Sequence, residues 1–339
     1  GPRLAGRVIQ IIKRSRTELA GRFSFLKKGG SVIPRDQRIN RQVIIPHVRQ
    51  RDKLKNGSWV MVKILDHGDE RHPMLGEITE VLGSDKDRGI DVFVIIRDYG
   101  VPTDFSGEVL QEALAAPSSL THSDLKGRKD LRDKTIFTID PKTAKDFDDA
   151  LSVERLPEGG FRLGVHIADV AHYVKPGSAV DREARSRSTS IYPVDRVVPM
   201  LPEHLSNNMC SLRPREDRLT MSVFMDIDNR GRIHHAEFHN SVIHSRFRMT
   251  YEEVQAFFDG SDQAVTDRYA SIQQDLEALK ELAGILIRMR HREGAMDLDV
   301  GEAEVVFNED GVVVDLVRRP RLFSHRVVEQ AMILANEAV

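Results

Sequence analysis

The sequence predicts an α+β fold in which a small β-barrel is followed by a mixed α/β domain. The first observation is a series of short apolar runs, separated by glycine and asparagine turns, in residues 1–83. The second is a change of pattern at Thr135, after which strand-like runs alternate with helical periodicity. With 339 residues, the chain is long enough for two or three domains.

Five runs near the start have the composition of β-strands, and five short strands in about 80 residues are typical of an OB-fold barrel. The runs are Val8–Ile12, Ala20–Phe25, Val43–Ile45, Trp59–Leu65 and Gly76–Leu82. We assign the barrel to residues 18–83. Residues 1–17 are expected to be a lead-in strand or the end of a preceding domain.

Residues 84–134 are expected to connect the two domains. Val92–Ile96 has the composition of a further strand. Thr103–Ala116 has an apolar stripe at helical spacing, with Thr103 as the candidate N-cap and a proline as the stop signal. The polar residues 117–134 are expected to form a linker.

The second domain, residues 135–339, is predicted to contain strands and helices. Apolar or alternating runs predict strands at Thr135–Ile139, Phe147–Glu154, Phe161–Val170, Val197–Leu201, Leu219–Ile227 and Ile233–Ile243. Capping residues and helical spacing predict helices from Ser178 to Ser188, from Thr250 onwards, across 266–292 and from Ser324 to Val339. Turn residues predict hairpins at Pro157–Gly160 and around Asn308–Gly311.

Composition restricts the class of protein. A single cysteine, Cys210, excludes an internal disulfide and is typical of a reducing compartment, so we expect a cytoplasmic protein. No apolar run approaches the roughly 20 residues that a transmembrane helix needs, so no membrane partner is expected.

Charge is distributed unevenly along the chain. Residues 1–60 hold 15 of the 50 lysine and arginine residues but only three of the 52 acids, which leaves 35 basic and 49 acidic residues for the remainder. A basic N-terminal module joined to an acidic body is typical of a nucleic-acid-binding protein with a metal site. An incidental spread of surface charge is the alternative.

OB-fold barrels bind single strands by combining a basic groove with exposed aromatic side chains that stack on bases. Phe23 and Phe25 lie two residues apart and therefore share one face of a strand, close to Arg22, Lys27 and Lys28. Phe23 and the three basic residues are candidate contacts to a nucleic acid. The alternative for the two phenylalanines is that both pack in the barrel core.

Four aspartates lie within ten residues, at positions Asp140, Asp146, Asp148 and Asp149. Crowded carboxylates raise each other's pKa unless a cation lies between them, and Mg²⁺ prefers oxygen ligands of this kind. If residues 147–153 are extended, Asp148 and Asp149 point to opposite faces. We therefore expect Asp140, Asp146 and Asp149 to bind metal, with Asp148 orienting a second ion or the water that attacks a phosphate ester. A solvated acidic loop or a calcium-stabilised turn is the alternative.

Longer motifs around the aspartates resemble those of the RNB-domain exoribonucleases, the bacterial RNase R and RNase II family. The matching segments are Thr138–Ser152, Val165–Val170, Tyr192-Pro193 with Val197–Pro202, Leu205–Leu212 and Ser324–Glu337. The basic barrel is similar to the second cold-shock domain of that family. Residues 135–339 are similar to the N-terminal part of its catalytic domain.

The resemblance implies processive, hydrolytic 3′→5′ degradation of single-stranded RNA to nucleoside 5′-monophosphates. It implies Mg²⁺ as the cofactor, as one or two ions for which Mn²⁺ can substitute, and Asp148 as the carboxylate most essential for cleavage. Tyr192 matches the aromatic residue that packs against the 3′-terminal nucleotide, and Glu329 matches an acid near the terminal ribose. The alternatives are a half-buried core tyrosine and a solvated helix acid.

Members of this family usually extend further than this sequence. The resemblance implies that a second polypeptide or a missing C-terminal segment supplies an active-site arginine, the rest of the RNA channel and an S1 domain. The helix at 266–292 is then expected to expose an apolar face. Two other hypotheses stay open: an RNA-binding or regulatory fragment without activity, and a metal phosphoesterase for small nucleotides, which would need no strand-binding barrel.

Several other polar residues are interpreted as structural. We expect His166 and Asp169 to be hydrogen-bonded to their neighbours. Four further histidines match no common zinc-binding spacing and are assigned to the surface and core of a strand. They are His234, His235, His239 and His244.

Overall fold

The computed structural model describes residues 6, 9–10, 12–14, 16–49, 51–69, 71–296, 301–308 and 312–339. These residues divide into two compact units. The first comprises the chain through Asp104 with Ile191–Val198 and Phe307–Val314, and the second comprises Phe105–Ser190, Pro199–Val306 and Asp315–Val339. The predicted α+β class, with a small barrel and a mixed α/β domain, is confirmed.

A closed five-stranded barrel forms the core of the first unit. Its strands are β1 (Glu18–Phe25), β2 (Gly30–Pro34), β3 (Val43–Ile45), β4 (Trp59–Asp66) and β5 (Met74–Gly83), in the order β1-β2-β3-β5-β4. The side chains of Leu19, Phe23, Val32 and Val60 are fully buried inside it. The sequence did not predict β2, because a glycine and a proline bound its five residues. The strand predicted at Val8–Ile12 falls partly outside the described residues.

Helix α1 (Ile90–Asp98) occupies the segment where the sequence predicted a strand at Val92–Ile96, so that prediction is wrong. Ile90 and Val94 lie one helical turn apart and pack against Ala20 and Met61 in a cluster separate from the barrel core. A short run of β-branched residues is compatible with either a strand or a buried helix. Packing of Ile90 and Val94 against the barrel favours the helix.

The predicted linker at 117–134 contains a short helix and a short strand. Helix α2 (Gly107–Leu114) precedes it, and its N-cap is Ser106 rather than Thr103. Helix α3 (His122–Leu125) and strand β6 (Lys129–Asp130) then follow within the predicted linker. The two polar residues of β6 gave no indication in the sequence that they would pair with a distant strand.

A seven-stranded mixed sheet forms the centre of the second unit. With β6 it contains β7 (Phe137–Asp140), β8 (Asp149–Arg155), β9 (Phe161–Ala168), β10 (Asp217–Ile227), β11 (Ile233–His244) and β12 (Phe247–Thr250), in the order β12-β7-β8-β9-β10-β11-β6. The two edge strands pair in parallel and the inner strands antiparallel. The predicted hairpin between β8 and β9 is confirmed. Gly160 in its turn has φ 89°, and a Cβ there would clash with the carbonyl oxygen of Ile227.

Helices accompany this sheet. They are α4 (Val170–Tyr173), α5 (Ala179–Arg187), α6 (Tyr251–Asp259), α7 (Gln263–Arg268), α8 (Gln273–Arg292) and α9 (Phe323–Ala338). Strands β13 (Glu302–Phe307) and β14 (Val313–Arg319) form a separate two-stranded sheet. Ser178 and Thr250 cap α5 and α6 as predicted. Ser324 is not the cap of α9, because the helix begins at Phe323 with Leu322 as its N-cap, and the Ser324 hydroxyl donates to the carbonyl of Tyr251. Among the described residues, no helix is both long enough and apolar enough to cross a membrane.

Two further predictions in the second half of the chain need correction. The strand expected at Val197–Leu201 is reduced to one bridge between Ile191 and Val198. The single helix expected across 266–292 is interrupted by a short turn at Ala270–Ile272, so that α8 begins at Gln273.

The apolar side of α8 is buried within this chain, contrary to the expectation that it would be exposed. Leu276, Leu279, Leu282 and Leu286 are each no more than 2% exposed. They belong to one core with residues of the central sheet and of α9. The helix therefore needs no outside partner to cover these leucines.

Candidate functional site

The four aspartates lie at the end of β7 and along the loop that leads into β8. Asp140 is the last residue of β7 and lies opposite Thr250 of β12. Asp149 is the first residue of β8 and lies opposite Ile167 of β9. Because β7 and β8 are neighbouring strands, both ends of the segment meet at one place. Asp148 precedes the strand, so strand alternation does not fix its direction relative to Asp149.

Burial and mutual repulsion act on these carboxyl groups. Asp140 is 8% exposed, and burial raises its pKa to about 7, with the charges of Asp149 and Asp146 adding to the shift. Burial also raises the pKa of Asp149 to about 6, with a contribution from Asp148. The pKa of Asp148 is raised by burial and by the charge of Asp146. A bound cation would relieve this repulsion.

The donor chemistry of the cluster fits a hard divalent cation. Within the described residues, no group hydrogen-bonds Oδ2 of the buried Asp140 carboxyl, although the side chain of Thr138 beside it opposes the rise in the pKa of Asp140. A buried carboxylate oxygen without a partner is unfavourable, and coordination to Mg²⁺ would satisfy it. The His, Cys, Asp and Glu side chains in the described part of the chain include no group of three arranged to hold a metal ion. The aspartates therefore offer suitable ligands without a completed coordination shell.

Two residues beside the aspartates were not identified from the sequence. Arg248 lies on β12, and its positive charge opposes the rise in the pKa of Asp140. Tyr251 follows β12 directly, and burial with the charges of Asp149 and Asp140 raises the pKa of its phenol to about 12. Its ring stacks on that of His325, with the ring centroids 4.1 Å apart. Only the pairing of β12 with β7 reveals that these residues belong to the site.

The two residues assigned to the 3′-terminal nucleotide lie on other elements. Tyr192 is 63% exposed, so it is not a core tyrosine, and it belongs to the segment Ile191–Val198 of the first unit. Glu329 lies on α9 and forms an ion pair with Arg321, with the nitrogen and oxygen 2.8 Å apart. Their roles at the RNA end stay predictions.

The candidate contacts on the barrel are divided between core and surface. Phe23 is fully buried in the barrel core, which is the alternative that the sequence left open. Phe25 is 36% exposed and meets Phe23 edge-on, with the ring centroids 4.8 Å apart. Lys27 and Lys28 are exposed between β1 and β2. The two lysines and Phe25 therefore remain accessible to a ligand, and Phe23 does not.

Arg22 is held by two neighbours on the barrel. Its guanidinium lies 4.7 Å from the centroid of the Trp59 ring and forms an ion pair with Asp85 at 2.9 Å. Asp85 also accepts a hydrogen bond from Nε1 of Trp59 at 2.9 Å. A phosphate would have to compete with Asp85 for this arginine. Arg22 is consequently a weaker candidate than the two lysines.

The residues interpreted as structural have hydrogen-bonded partners. His166 is fully buried between the hydroxyls of Ser152 and Ser222, at 3.0 and 2.7 Å, and burial lowers its pKa to about 3. Asp169 caps α4 and forms an ion pair with Arg128. Each of the other four histidines is paired with a carboxylate: His234 with Asp228, His235 and His239 with Glu237, and His244 with Asp217.

Comparison with known proteins accounts for most of the chain. Residues 128–339 match the RNB domain family, and residues 32–106 match the cold shock domain family. Ribonuclease R of Thermotoga maritima is 42% identical over 337 residues, which cover 98% of this chain and 47% of that protein. Ribonuclease R of Escherichia coli is 35% identical over 98% of this chain and 41% of its own length. The chain therefore spans about half the length of these relatives.

Solved structures share the fold. Mycoplasma genitalium RNase R in complex with double-stranded RNA has a TM-score of 0.88 and 30% identity, over 98% of this chain and 58% of that chain. Yeast Ssd1, a pseudonuclease, has a TM-score of 0.71 and 20% identity, over 94% of this chain and 40% of its own. The second likeness concerns the fold alone. Since one fold occurs in a nuclease and a pseudonuclease, activity has to be argued from the residues of the site.

Proposed function

This chain belongs to the RNB-domain family, and we propose that it forms part of a hydrolytic 3′→5′ exoribonuclease that degrades single-stranded RNA processively to nucleoside 5′-monophosphates. The observation that carries the proposal is the mutually repelling cluster of Asp140, Asp146, Asp148 and Asp149, in which Asp140 is buried. Similarity to ribonuclease R of two bacteria supports the substrate class. A cytoplasmic location is part of the proposal, because the chain's one cysteine is unpaired and buried.

Asp140, Asp146 and Asp149 would hold Mg²⁺, as one or two ions for which Mn²⁺ can substitute. The bound ion supplies positive charge for phosphate oxygens and lowers the pKa of water. Carboxylate oxygens are the ligands that such ions prefer. The burial of Asp140 supports this role, because an uncompensated charge there is unfavourable.

Asp148 would position the attacking water and accept its proton. The oxygen of that water forms a bond to phosphorus, and the bond from phosphorus to the 3′ oxygen of the shortened RNA breaks. The released nucleotide then keeps the phosphate on its 5′ side. Burial raises the pKa of Asp148, which makes it a stronger base than an ordinary aspartate.

The barrel would bind the RNA strand through its basic surface. Lys27 and Lys28 are exposed and would contact phosphates, while the partly exposed ring of Phe25 would stack on a base. Tyr192 would pack against the 3′-terminal nucleotide, and Glu329 would contact its ribose. A strand-binding barrel favours an RNA chain over a small nucleotide as the substrate.

The alternative function is an RNA-binding or regulatory fragment without activity. It is favoured by the finding that no three of the described acidic, histidine or cysteine side chains are arranged to hold a metal ion. In that case a second polypeptide or a C-terminal segment would complete the catalytic domain and supply the S1 domain. The alternative predicts RNA binding without cleavage.

Incubation with a 5′-labelled oligoribonucleotide tests the proposal. With Mg²⁺, we expect the labelled strand to shorten from its 3′ end with release of nucleoside 5′-monophosphates. After chelation with EDTA, the strand should stay intact. Internal cleavage, or shortening that continues in EDTA, would contradict the proposed reaction. Retained binding without shortening would select the inactive alternative.

A further inference from the structure

The loop that carries Asp146 and Asp148, between Asp140 and Asp149, is anchored at both ends by side chains from elsewhere in the second unit. We call residues 141–148, which connect β7 and β8, the acid loop. One anchor binds the residues directly after Asp140, and the other binds the residues on both sides of Asp146. Both anchors bind backbone atoms of the loop rather than its carboxylates.

Arg248 forms the first anchor. Its Nη2 donates hydrogen bonds to the carbonyl oxygens of Pro141 at 2.7 Å and Lys142 at 3.0 Å. The guanidinium carbon also lies 5.5 Å from the centroid of the Phe147 ring. Parallel pairing of β12 with β7 places Arg248 opposite Thr138, in the same strand as Asp140. The arginine therefore holds the first two residues of the loop beside Asp140.

Ser211 forms the second anchor and is fully buried. Its hydroxyl donates to the carbonyl of Lys145 at 2.9 Å and accepts from the amide of Phe147 at 3.0 Å. The amide of Leu212 donates to the carbonyl of Phe147 at 2.8 Å. These bonds enclose Asp146 and fix the residue that precedes Asp148. A group that both donates and accepts is required here, so alanine would remove both side-chain bonds at once.

Arg218 supports the second anchor. Its side chain is 5% exposed, and its Nε donates to the carbonyls of Ser211 at 2.9 Å and Asn208 at 3.2 Å. Its Nη2 forms an ion pair with Glu216. Asn208 lies in a π-helical turn at Leu205–Met209, a conformation that often occurs at functional sites. Ser211 is therefore itself held in place by a buried arginine.

We infer that Arg248 and Ser211 are positioning residues that hold the acid loop by its backbone and keep its carboxylates in place for a divalent cation, an inference that rests on the proposed function. Like charges within the loop repel one another, and backbone anchors resist the resulting displacement. Anchors that bound the aspartate side chains instead of the backbone would occupy the carboxylate oxygens that the cation needs. Arg248 also brings a positive charge near Asp140 before any cation is bound.

A purely structural role for both residues makes a different prediction. Replacement would then lower the stability of the protein and leave the metal affinity of the folded molecules unchanged. If the anchors position the ligands, metal affinity falls even though the protein stays folded. Replacing a residue that positions a metal ligand typically lowers the metal affinity by about 10–100-fold.

The test compares anchor variants with matched controls in the full chain. Arg248→Met and Ser211→Ala remove the two anchors, and Arg248→Lys keeps the charge without the guanidinium geometry. Arg246→Met is the control for arginine, since Arg246 donates to the carbonyl of Asp133 instead. Ser245→Ala is the control for serine, since the buried Ser245 hydroxyl donates to the carbonyl of Phe247.

Three quantities are measured on each folded variant. Mn²⁺ affinity is determined from the EPR signal of the free ion, hydrogen exchange of residues 141–147 is followed without metal, and RNA affinity is measured in EDTA. We expect Arg248→Met and Ser211→Ala to weaken Mn²⁺ binding about tenfold or more and to accelerate exchange in the acid loop. Arg248→Lys should be intermediate. RNA affinity in EDTA, and all three quantities in the controls, should match the wild type.

Anchor variants that bind Mn²⁺ as tightly as their controls would overturn the inference while leaving the proposed function intact. Unchanged exchange in the acid loop would overturn it as well. A wild-type protein that neither binds Mn²⁺ nor cleaves RNA would instead overturn the proposed function, and with it the role of the anchors towards a cation. If Arg248→Met fails to fold, Arg248→Lys and Ser211→Ala carry the same test.

Discussion

Two buried aspartates, one in each unit, have opposite environments. The Asp98 side chain in the first unit is fully buried and accepts hydrogen bonds from the amide of Ala20 at 2.8 Å and from the Arg35 guanidinium at 2.8 and 3.0 Å. Asp140 in the second unit is 8% exposed, and its Oδ2 has no hydrogen-bond partner in the described part of the chain. Burial raises the pKa of Asp140 to about 7, and the charges of Asp149 and Asp146 add to the shift.

The difference separates a carboxylate that is neutralised within the fold from one that we propose binds a cation. Asp98 shows that this protein neutralises a buried acid with its own arginine where the acid serves the fold. Around Asp140 the protein gathers further acids beside the one positive charge of Arg248, and their repulsion is unfavourable unless a cation from outside compensates it. Perturbed and incompletely paired carboxyl groups of this kind are typical of functional sites.

The largest expected effect is on catalysis by the acid cluster. Asp148→Asn should lower cleavage by about 10²–10⁴-fold, the usual contribution of a general base, while RNA binding persists. Cleavage is measured with Mg²⁺ and saturating oligoribonucleotide, and affinity by fluorescence anisotropy in EDTA. The control is Glu158→Gln in the exposed hairpin turn, which should change neither quantity. Loss of RNA binding in a folded Asp148→Asn protein would contradict a purely catalytic role.

The next largest effect is expected on the stability of the protein when either of the two buried aspartates is replaced. Asp98→Asn leaves Arg35 without its counter-charge and should destabilise the protein by about 2–3 kcal/mol, below the loss for a wholly buried pair because Arg35 is 27% exposed. Asp140→Asn removes a repelling charge and should be neutral or stabilising without metal. Urea unfolding in EDTA at neutral pH measures both. Equal destabilisation by the two substitutions would remove the distinction between them.

A smaller effect is expected on the pH dependence of stability. The carboxyls of Asp140 and Asp149 have pKa values of about 7 and about 6, above the ordinary 3.8, so the folded protein retains protons that the unfolded chain releases. Their contribution to stability is full below about pH 4 and is lost as the pH rises through about 6 and 7. In EDTA we expect the stability from this source to fall steadily across that pH range.

Other acids of the chain have lowered pKa values and act in the opposite direction, so the comparison has to be made against a variant. Asp140→Asn should flatten the falling part of the stability profile, measured by thermal unfolding from acid to neutral pH in EDTA. Mg²⁺ should restore the stability of the wild type near neutral pH. Wild-type and Asp140→Asn profiles of the same shape would show that Asp140 does not titrate as expected.

The smallest expected effect is on the affinity of the barrel for RNA and its dependence on salt. RNA affinity should fall about 20-fold between about 50 and 200 mM salt if about three phosphates are contacted, because neutralised phosphates release counterions. Replacing Lys27 and Lys28 together by alanine should make the slope of log affinity against log salt shallower by about 1.4. Lys175→Ala, an exposed lysine of the second unit, is the control. A salt-independent affinity would contradict RNA binding by a basic barrel.

Most strands of the fold were predictable because their side-chain patterns are local. The runs at Ala20–Phe25, Trp59–Leu65 and Phe161–Val170 all became strands within a few residues of their predicted bounds. The failures involve segments whose state depends on a distant partner. Val92–Ile96 became part of a helix because it packs against the barrel, and Lys129–Asp130 became a strand because β11 lies beside it.

The candidate site was predictable to the same extent. The four aspartates were identified because they are close in sequence and their chemistry is unusual. Arg248, Tyr251 and Ser211 were missed, since single residues far along the chain carry no such signal. Phe23 was a candidate contact because alternation places it on one strand face, but alternation alone does not say which face is inside the barrel.

The sequence by itself determined where the candidate site lies, because four carboxylates within ten residues repel one another and offer oxygen ligands to a cation. It also determined the order of a basic barrel and a mixed α/β domain through local hydrophobic patterns and charge. Only the tertiary structure decided which side chains surround the carboxylates. Strand pairing between β7 and β12 brings Arg248 to one end of the acid loop, and a buried turn brings Ser211 to the other. Such contacts depend on strand order and register, which one-dimensional patterns do not encode.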